Sequence, residues 1–255
     1  IINGAYNDPS WYRELEDQGI KVIIENLWER SPVKNHSTHL TLLNKNWFWY
    51  NESVWWQALG YNNYVSAPAF KYRALMPVRR IKPKRAHIIN RLGNIKDSML
   101  WSYDNRKLPN DINDVEQGQR YVNRQWYDTT WSSLVIETQA QKPLFLTEKT
   151  FKPLAFYHPF QVVAAPGTLS KLQALGFETY SNVFNESYDK LEQLDQRLDI
   201  IMDNLQSIEL KSYDSLTIDK LNYNRHRFFN QQLVKERIVT EIINPIIDYV
   251  ENSRR

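Results

Sequence analysis

The sequence predicts an α/β protein built from two units, on three observations. Short apolar runs alternate with amphipathic helical stretches along almost the whole chain, the pattern of parallel βαβ units. The opening already reads strand, helix, strand. Near residues 65 to 75 a segment rich in proline and basic residues breaks the alternation and divides the chain. This places an N-terminal α/β unit over 1–72 and a C-terminal unit over 73–255, with the last helix packing back on the first.

The elements follow in order. Ile1-Ile2 end a first strand, and Asn3-Gly4 begin its exit. "DPSWYRELEDQG" has Asp8 as N-cap and Pro9 at the first helical position, so it predicts a helix closed by Gly19. "IKVIIENLWE" predicts a buried strand, and "WFWY" (47–50) another, followed by a helix from Ser53 to Leu59. "YRALMPV" is a strand, "KRAHIINRLGN" a helix with Gly93 near its end, and "SMLWSY" a strand. "LPNDINDVEQGQ" is a polar loop. "SSLVIET" and "PLFL" (143–146) are strands, "FKPLAFY" a short helix, "FQVVAA" a strand and "TLSKLQALG" a helix. Leu191, Leu194, Leu198 and Ile201 keep helical spacing through 186–206, and a last helix covers roughly 230–252.

Composition bounds the function. Apolar residues are 42% and charged residues 24%, as in globular proteins. No apolar run approaches the roughly 18 to 20 residues of a membrane span. The N-terminus lacks the basic start and apolar centre of a signal peptide, and it opens on Ile rather than Met, as a trimmed chain would. With no cysteine, disulfides, zinc–thiolate sites and thiol nucleophiles are excluded, which fits a cytoplasmic protein. The net charge of +3 suits a phosphate-bearing partner only weakly. Aromatics crowd into residues 46–64, "NWFWYNESVWWQALGYNNY", either as core or as a platform for a sugar or base. Within it Trp55 and Trp56 are the stacking candidates.

One short stretch carries most of the chemistry. In "LFLTEKTFKPLAFYHPF" an apolar run ends in Thr147-Glu148-Lys149. In open α/β sheets ligands sit at the C-terminal strand ends. Thr147 suits an N-cap, and a helix N-terminus attracts phosphate. Lys149 would add positive charge, and Glu148 would accept from ribose hydroxyls. The same residues also make an ordinary capped helix. Pro153 implies that the helix begins after residue 148 or is kinked. Glu137 ends the neighbouring strand, and Arg79, Arg80, Lys82, Lys84 and Arg85 crowd a further strand-to-helix loop. His87, His158 and His226 have no metal spacing with nearby carboxylates; His158 is read as a turn residue and His226 as part of a packed helix start.

"SLVIETQAQKPLFLTEKTFKPLAFYHPFQVVAAP" resembles the donor-binding core of the family-10 α1,3-fucosyltransferases. Glu137-Thr138-Gln139 stands where that family has Glu-Asn-(Thr/Ser), and Thr147-Glu148-Lys149 matches outright. "KPKRAHIINRL" is similar to the segment with the family's phosphate-contacting arginine, here Arg85, and "WFWYNESVWW" to the segment with its base, here Glu52. The match is good over about 30 residues and weak over about 100. Thr138 in place of Asn and the short N-terminal unit depart from the family.

The resemblance implies a GT-B-like glycosyltransferase: two Rossmann-like domains, the N-terminal one reduced, working on a GDP- or UDP-linked sugar, by inversion. Glu148 would bind the ribose, Lys149 and Arg85 the diphosphate, and Glu137, Thr138 and Gln139 the base or sugar, with Thr147 as the cap. No Asp-x-Asp loop is present, so no metal or other cofactor is expected. Glu52 is the expected base, with Asp8 and Glu25 as rivals on the acceptor side. The acceptor would be a glycan, a protein or DNA; in a phage-encoded member, a hydroxymethylated base flipped onto Trp55 or Trp56, with Lys71, Arg73, Lys82 and Lys84 on the backbone. A binder without chemistry would keep Lys149 and Arg85 but tolerate loss of Glu52.

Overall fold

The computed structural model describes residues 2–3, 22–26, 39–43, 47–79, 82–111, 121–138, 140–141 and 144–252. Two sheets organise them. Strands β1 (Ile2–Asn3), β2 (Val22–Asn26) and β3 (His39–Leu43) pair in parallel in that order. Strand β1 thus lies a residue beyond the expected one, and β3 had no counterpart in the sequence reading. The helix expected over Asp8–Gly19 lies outside the described residues.

Helix α1 runs from Trp47 to Ala58, so residues 47–50 are its first turn rather than a strand. Aromatic residues favour strands on average. Here, however, Trp49, Glu52, Ser53 and Trp56 share one buried helical face, and packing at that spacing overrides propensity. Trp56 sits 5.4 Å from the ring of Phe228 and 5.7 Å from that of Phe156, and Trp49 sits 4.8 Å from Phe177. The Trp49 indole N–H donates to the Phe228 carbonyl at 3.2 Å. The aromatic segment is therefore largely core.

The second sheet holds β4 (Tyr72–Pro77), β5 (Met99–Ser102), β6 (Thr130–Ile136) and β7 (Phe160–Val163), all parallel, in the order β5-β4-β6-β7. Strand β6 is buried along its whole length, as a central parallel strand covered on both faces must be. Helix α2 (Pro83–Arg91) links β4 to β5 and begins on Pro83, whose missing N–H costs nothing there. Helix α3 (Arg124–Thr129), absent from the sequence reading, starts at Asn123, whose side chain accepts from Gln125 N. Helix α4 (Glu148–Ala155) links β6 to β7. It starts at Glu148, earlier than Pro153 suggested: in eight residues the proline forfeits a single intrahelical bond. Residues 144–147 are irregular, not the expected strand.

Helix α5 (Thr168–Ala174) follows β7, then a 3-10 turn (Glu186–Lys190) and α6 (Leu194–Ser207), so the single helix expected over 186–206 is in two parts. Helix α7 (Ser215–Phe228) is capped by Asp214, which accepts from Thr217 N at 2.7 Å. "NYNRHRFF" is thus mostly the end of a helix, not the start of one. Helices α8 (Gln231–Ile238) and α9 (Asn244–Asn252) flank a π-helical turn, Val239–Ile243. The irregularity falls just before Pro245, which has no N–H to continue the ladder. Backbone of α9 approaches β3. Gly176 is required by a close approach: at φ 84° it leaves a gap where an added Cβ would lie 2.4 Å from the Arg227 guanidinium.

His158 is a core residue. Its Nε2–H points at the carbonyls of Thr130 (2.6 Å) and Tyr127 (3.0 Å), and its Nδ1 accepts from the Ser133 hydroxyl at 2.8 Å. That set fits the neutral ring, and burial pushes its pKa down from 6.5 to about 4. The unfolded chain therefore binds more protons between those two values. Stability is full above pH 6.5 and falls toward pH 4, by on the order of 3 kcal/mol at most. Urea unfolding at pH 7 and pH 4.5 should show this loss, and His158→Gln should remove most of the pH dependence while lowering stability at pH 7. An unchanged pH slope in the variant would assign the acid sensitivity elsewhere.

Candidate anion-binding crevice

The order β5-β4-β6-β7 contains a reversal. After β4 the chain moves outward to β5; after β6 it moves outward to β7, on the other side. Such a switch point leaves a crevice at the carboxyl ends of the two middle strands, where open α/β sheets bind ligands. A cavity of about 160 Å³ lies there. Its floor comes from Leu75, Pro77 and Val78 at the end of β4 and from Leu134 to Ile136 of β6. The N-termini of α2 and α4 open onto it, adding partial positive charge.

Its walls are cationic. Arg79, Lys82, Arg85, Lys149 and Lys152 line it against one lining carboxylate, Glu148. Arg85 and Glu148 are buried. Arg79 pairs with Asp111. Tyr121, Trp126 and Tyr127 form an aromatic side. Lys152 donates to the Tyr121 carbonyl at 3.2 Å. It keeps some exposure, yet protein crowds its ammonium, and this desolvation pushes its pKa down to about 8. Glu148 and Glu52 pull it back up, and Arg79 and Lys149 push it further down.

The N-terminus of α4 explains how its neighbours are held. The Thr147 hydroxyl caps the helix by accepting from Lys149 N at 3.3 Å, as expected. Glu137 does not face the crevice: its side chain is 0% exposed. Its carboxylate accepts from Thr147 N (2.9 Å), Thr147 Oγ1 (2.6 Å), Thr150 Oγ1 (2.6 Å) and Thr138 N (3.2 Å). A ligand contact by Glu137 is thereby replaced by contacts inside the protein, because the strand tip and the helix start converge on it.

Of the residues singled out from sequence, Arg79, Lys82, Arg85, Thr138, Glu148 and Lys149 line the crevice together. Lys84 turns away to Gln141, and Arg73 donates to the Gln206 carbonyl at 2.9 Å. Glu52 is 4% exposed and is not part of the lining; Asn51 Nδ2 donates to its Oε1 at 3.3 Å, and its charge acts on Lys152. Trp56 is 0% exposed, so it has no free face for a base, whereas Trp55 is 43% exposed on the outer face of α1. Asp8, Gln139, Arg80 and the side chain of Glu25 lie outside the described residues. Sequence reasoning missed Lys152, although it stands one helical turn beyond Glu148 and Lys149. The aromatic wall carried no local signal, since Tyr121 and Trp126 reach the crevice only through the fold. Among the described residues no group of three His, Cys, Asp or Glu side chains is arranged to hold a metal ion. No helix among them is long and apolar enough to cross a membrane.

Fold and crevice together define an α/β protein with a parallel sheet and a cationic site at its switch point. Comparison of the chain with protein-family models, curated proteins and solved structures finds no match.

Proposed function

We propose that the protein is a glycosyltransferase that moves a sugar from a nucleotide-diphosphate sugar to an acceptor hydroxyl. In this reading it is GT-B-like, inverting and without an essential metal. The observation that carries it is the crevice, where five cations, one carboxylate and an aromatic side meet at the switch point of a parallel sheet. A nucleoside diphosphate needs that combination: donors for the phosphates, an acceptor for the ribose and flat surface for a ring. The Thr147-Glu148-Lys149 segment adds the sequence resemblance. Lys149 and Arg85, with Arg79, Lys82 and Lys152, would stabilise the charge that grows on the departing diphosphate.

Thermal unfolding with GDP, UDP, ADP, CDP and their sugars, with and without EDTA, tests the donor site. The matching nucleotide should raise the midpoint by mass action, unchanged by EDTA, and Lys149→Ala should abolish the shift. No shift with any nucleotide would overturn the reading. Glu52→Gln separates two roles for that residue. A base would lose turnover by at least about 100-fold with donor affinity intact. A mere electrostatic support of Lys152 would lose donor affinity instead. Absence of turnover with every acceptor would leave a nucleotide binder without chemistry. Activity that falls steeply with salt would point to DNA as the acceptor, and salt-insensitive activity to a glycan or protein.

A further inference from the structure

Lys149 is tethered by the protein itself. Its ammonium has four oxygens close by: Thr147 Oγ1 at 3.1 Å, Thr138 Oγ1 at 3.2 Å, Glu148 Oε1 at 3.5 Å and Glu137 Oε2 at 3.7 Å. The two hydroxyls take two of its three N–H bonds. Glu137 stands behind both. It receives the hydroxyl proton of Thr147 and the main-chain N–H of Thr138, so it orients the two residues that hold the lysine. A carboxylate with no exposure is costly to bury unless donors and a counter-charge surround it, and here four donors and Lys149 do.

A free lysine loses rotamer entropy on binding, which a phosphate contact must overcome. Holding the ammonium in advance removes much of that loss. We propose that Glu137 is a positioning residue: its buried carboxylate, acting through Thr147 and Thr138 and by its own charge, fixes the Lys149 ammonium at the crevice for a phosphate oxygen. The function of this arrangement rests on the diphosphate reading above. The arrangement itself does not.

The test is competitive labelling of the folded protein with trace acetic anhydride, scored by mass spectrometry as Lys149 against the exposed Lys84. In the native chain Lys149 should react more slowly than Lys84. Glu137→Gln should raise Lys149 labelling by about fivefold or more and leave Lys84 unchanged, since a tether worth about 1 kcal/mol is lost. Glu137→Asp, which keeps the charge, should fall between. Thr147→Val, which keeps Glu137 but removes one of its links to the ammonium, should also raise labelling, by less, and serves if Glu137→Gln does not fold. A folded Glu137→Gln with unchanged Lys149 reactivity would reduce Glu137 to a structural acceptor for Thr147 and Thr150 and overturn the proposal. Titration with inorganic pyrophosphate then reads the consequence: affinity should drop about tenfold in Glu137→Gln and return partly in Glu137→Asp. Failure of the native protein to bind either pyrophosphate or any nucleotide would sink the diphosphate reading, while the labelling result would still decide the positioning role.

Discussion

Replacing Arg225 with methionine should cost the folded protein about 4 kcal/mol, among the largest single-residue losses the structure implies. Arg225 lies in the last turn of α7 and is buried, yet no carboxylate faces it in its hydrogen bonds. Its guanidinium donates instead to main-chain carbonyls: Nη2 to Tyr61 (2.9 Å), Asn62 (2.8 Å) and Tyr64 (2.9 Å), and Nη1 to Ala155. The rings of Tyr157 and Phe229 flank it at 4.6 and 5.2 Å. One side chain thereby ties the exit of α1 to the ends of α4 and α7. Methionine fills a similar volume and leaves four carbonyls without that donor. Each unsatisfied buried group costs about 1–3 kcal/mol, and water reaching the turn would recover part. For a chain of this size the midpoint should fall by roughly 10 °C. Proteolysis near residues 60–66 should speed up, since the turn would lose its anchor. Lysine should rescue only part, because its ammonium cannot span the same acceptors. A loss below about 1 kcal/mol in urea unfolding would show that aromatic packing, not the guanidinium, holds α1 in place.

The second large effect is on ligand binding. Affinity for a nucleoside diphosphate should be roughly constant up to pH 7.5 and then fall up to about tenfold per pH unit above pH 8. The reason is Lys152, whose pKa is pushed down to about 8 by desolvation, with Arg79 and Lys149 pushing the same way. A bound diphosphate would hold the proton on. Binding above pH 8 therefore takes up a proton, and the cost of supplying it rises with pH. Titration calorimetry in buffers of different ionisation enthalpy should register that uptake at pH 8.5 and little at pH 6.5. Lys152→Met should flatten the profile and leave affinity uniformly weak. A profile that stays steep in Lys152→Met would locate the titrating group elsewhere. For folding the same shift acts with the opposite sign. The folded state binds fewer protons than the unfolded one between pH 8 and 10.5, so stability should rise with pH across that window.

Much of the fold was legible because it is written in local chemistry. The apolar runs at 72–78, 98–103, 132–138 and 160–165 became β4, β5, β6 and β7, give or take a residue or two. Thr147 and Pro83 mark helix starts whose hydrogen-bond logic involves only near neighbours. Propensity failed where distant packing decided. Residues 47–50 look like a strand, but the faces of Trp49 and Trp56 are claimed by Phe177, Phe156 and Phe228, at least 100 residues away in sequence. Residues 144–146 form no strand because the chain there turns into α4, and the N–H and hydroxyl of its cap Thr147 and the hydroxyl of Thr150 meet Glu137.

The candidate site divides in the same way. By itself the sequence determined an α/β chain and marked Arg79, Lys82, Arg85, Thr138, Glu148 and Lys149, since strand-end position, helix caps and charge type are properties of a few adjacent residues. It could not decide which strands are neighbours. The order β5-β4-β6-β7 sets β4 beside β6, and only that pairing brings the α2 and α4 starts to one crevice, with Lys152 and the aromatic side around it. Burial likewise separated residues that look alike in sequence: Glu148 lines the crevice, Glu137 is enclosed by donors, and Glu52 lies buried outside the lining. A carboxylate's role follows from what surrounds it, and those surroundings are assembled from across the chain.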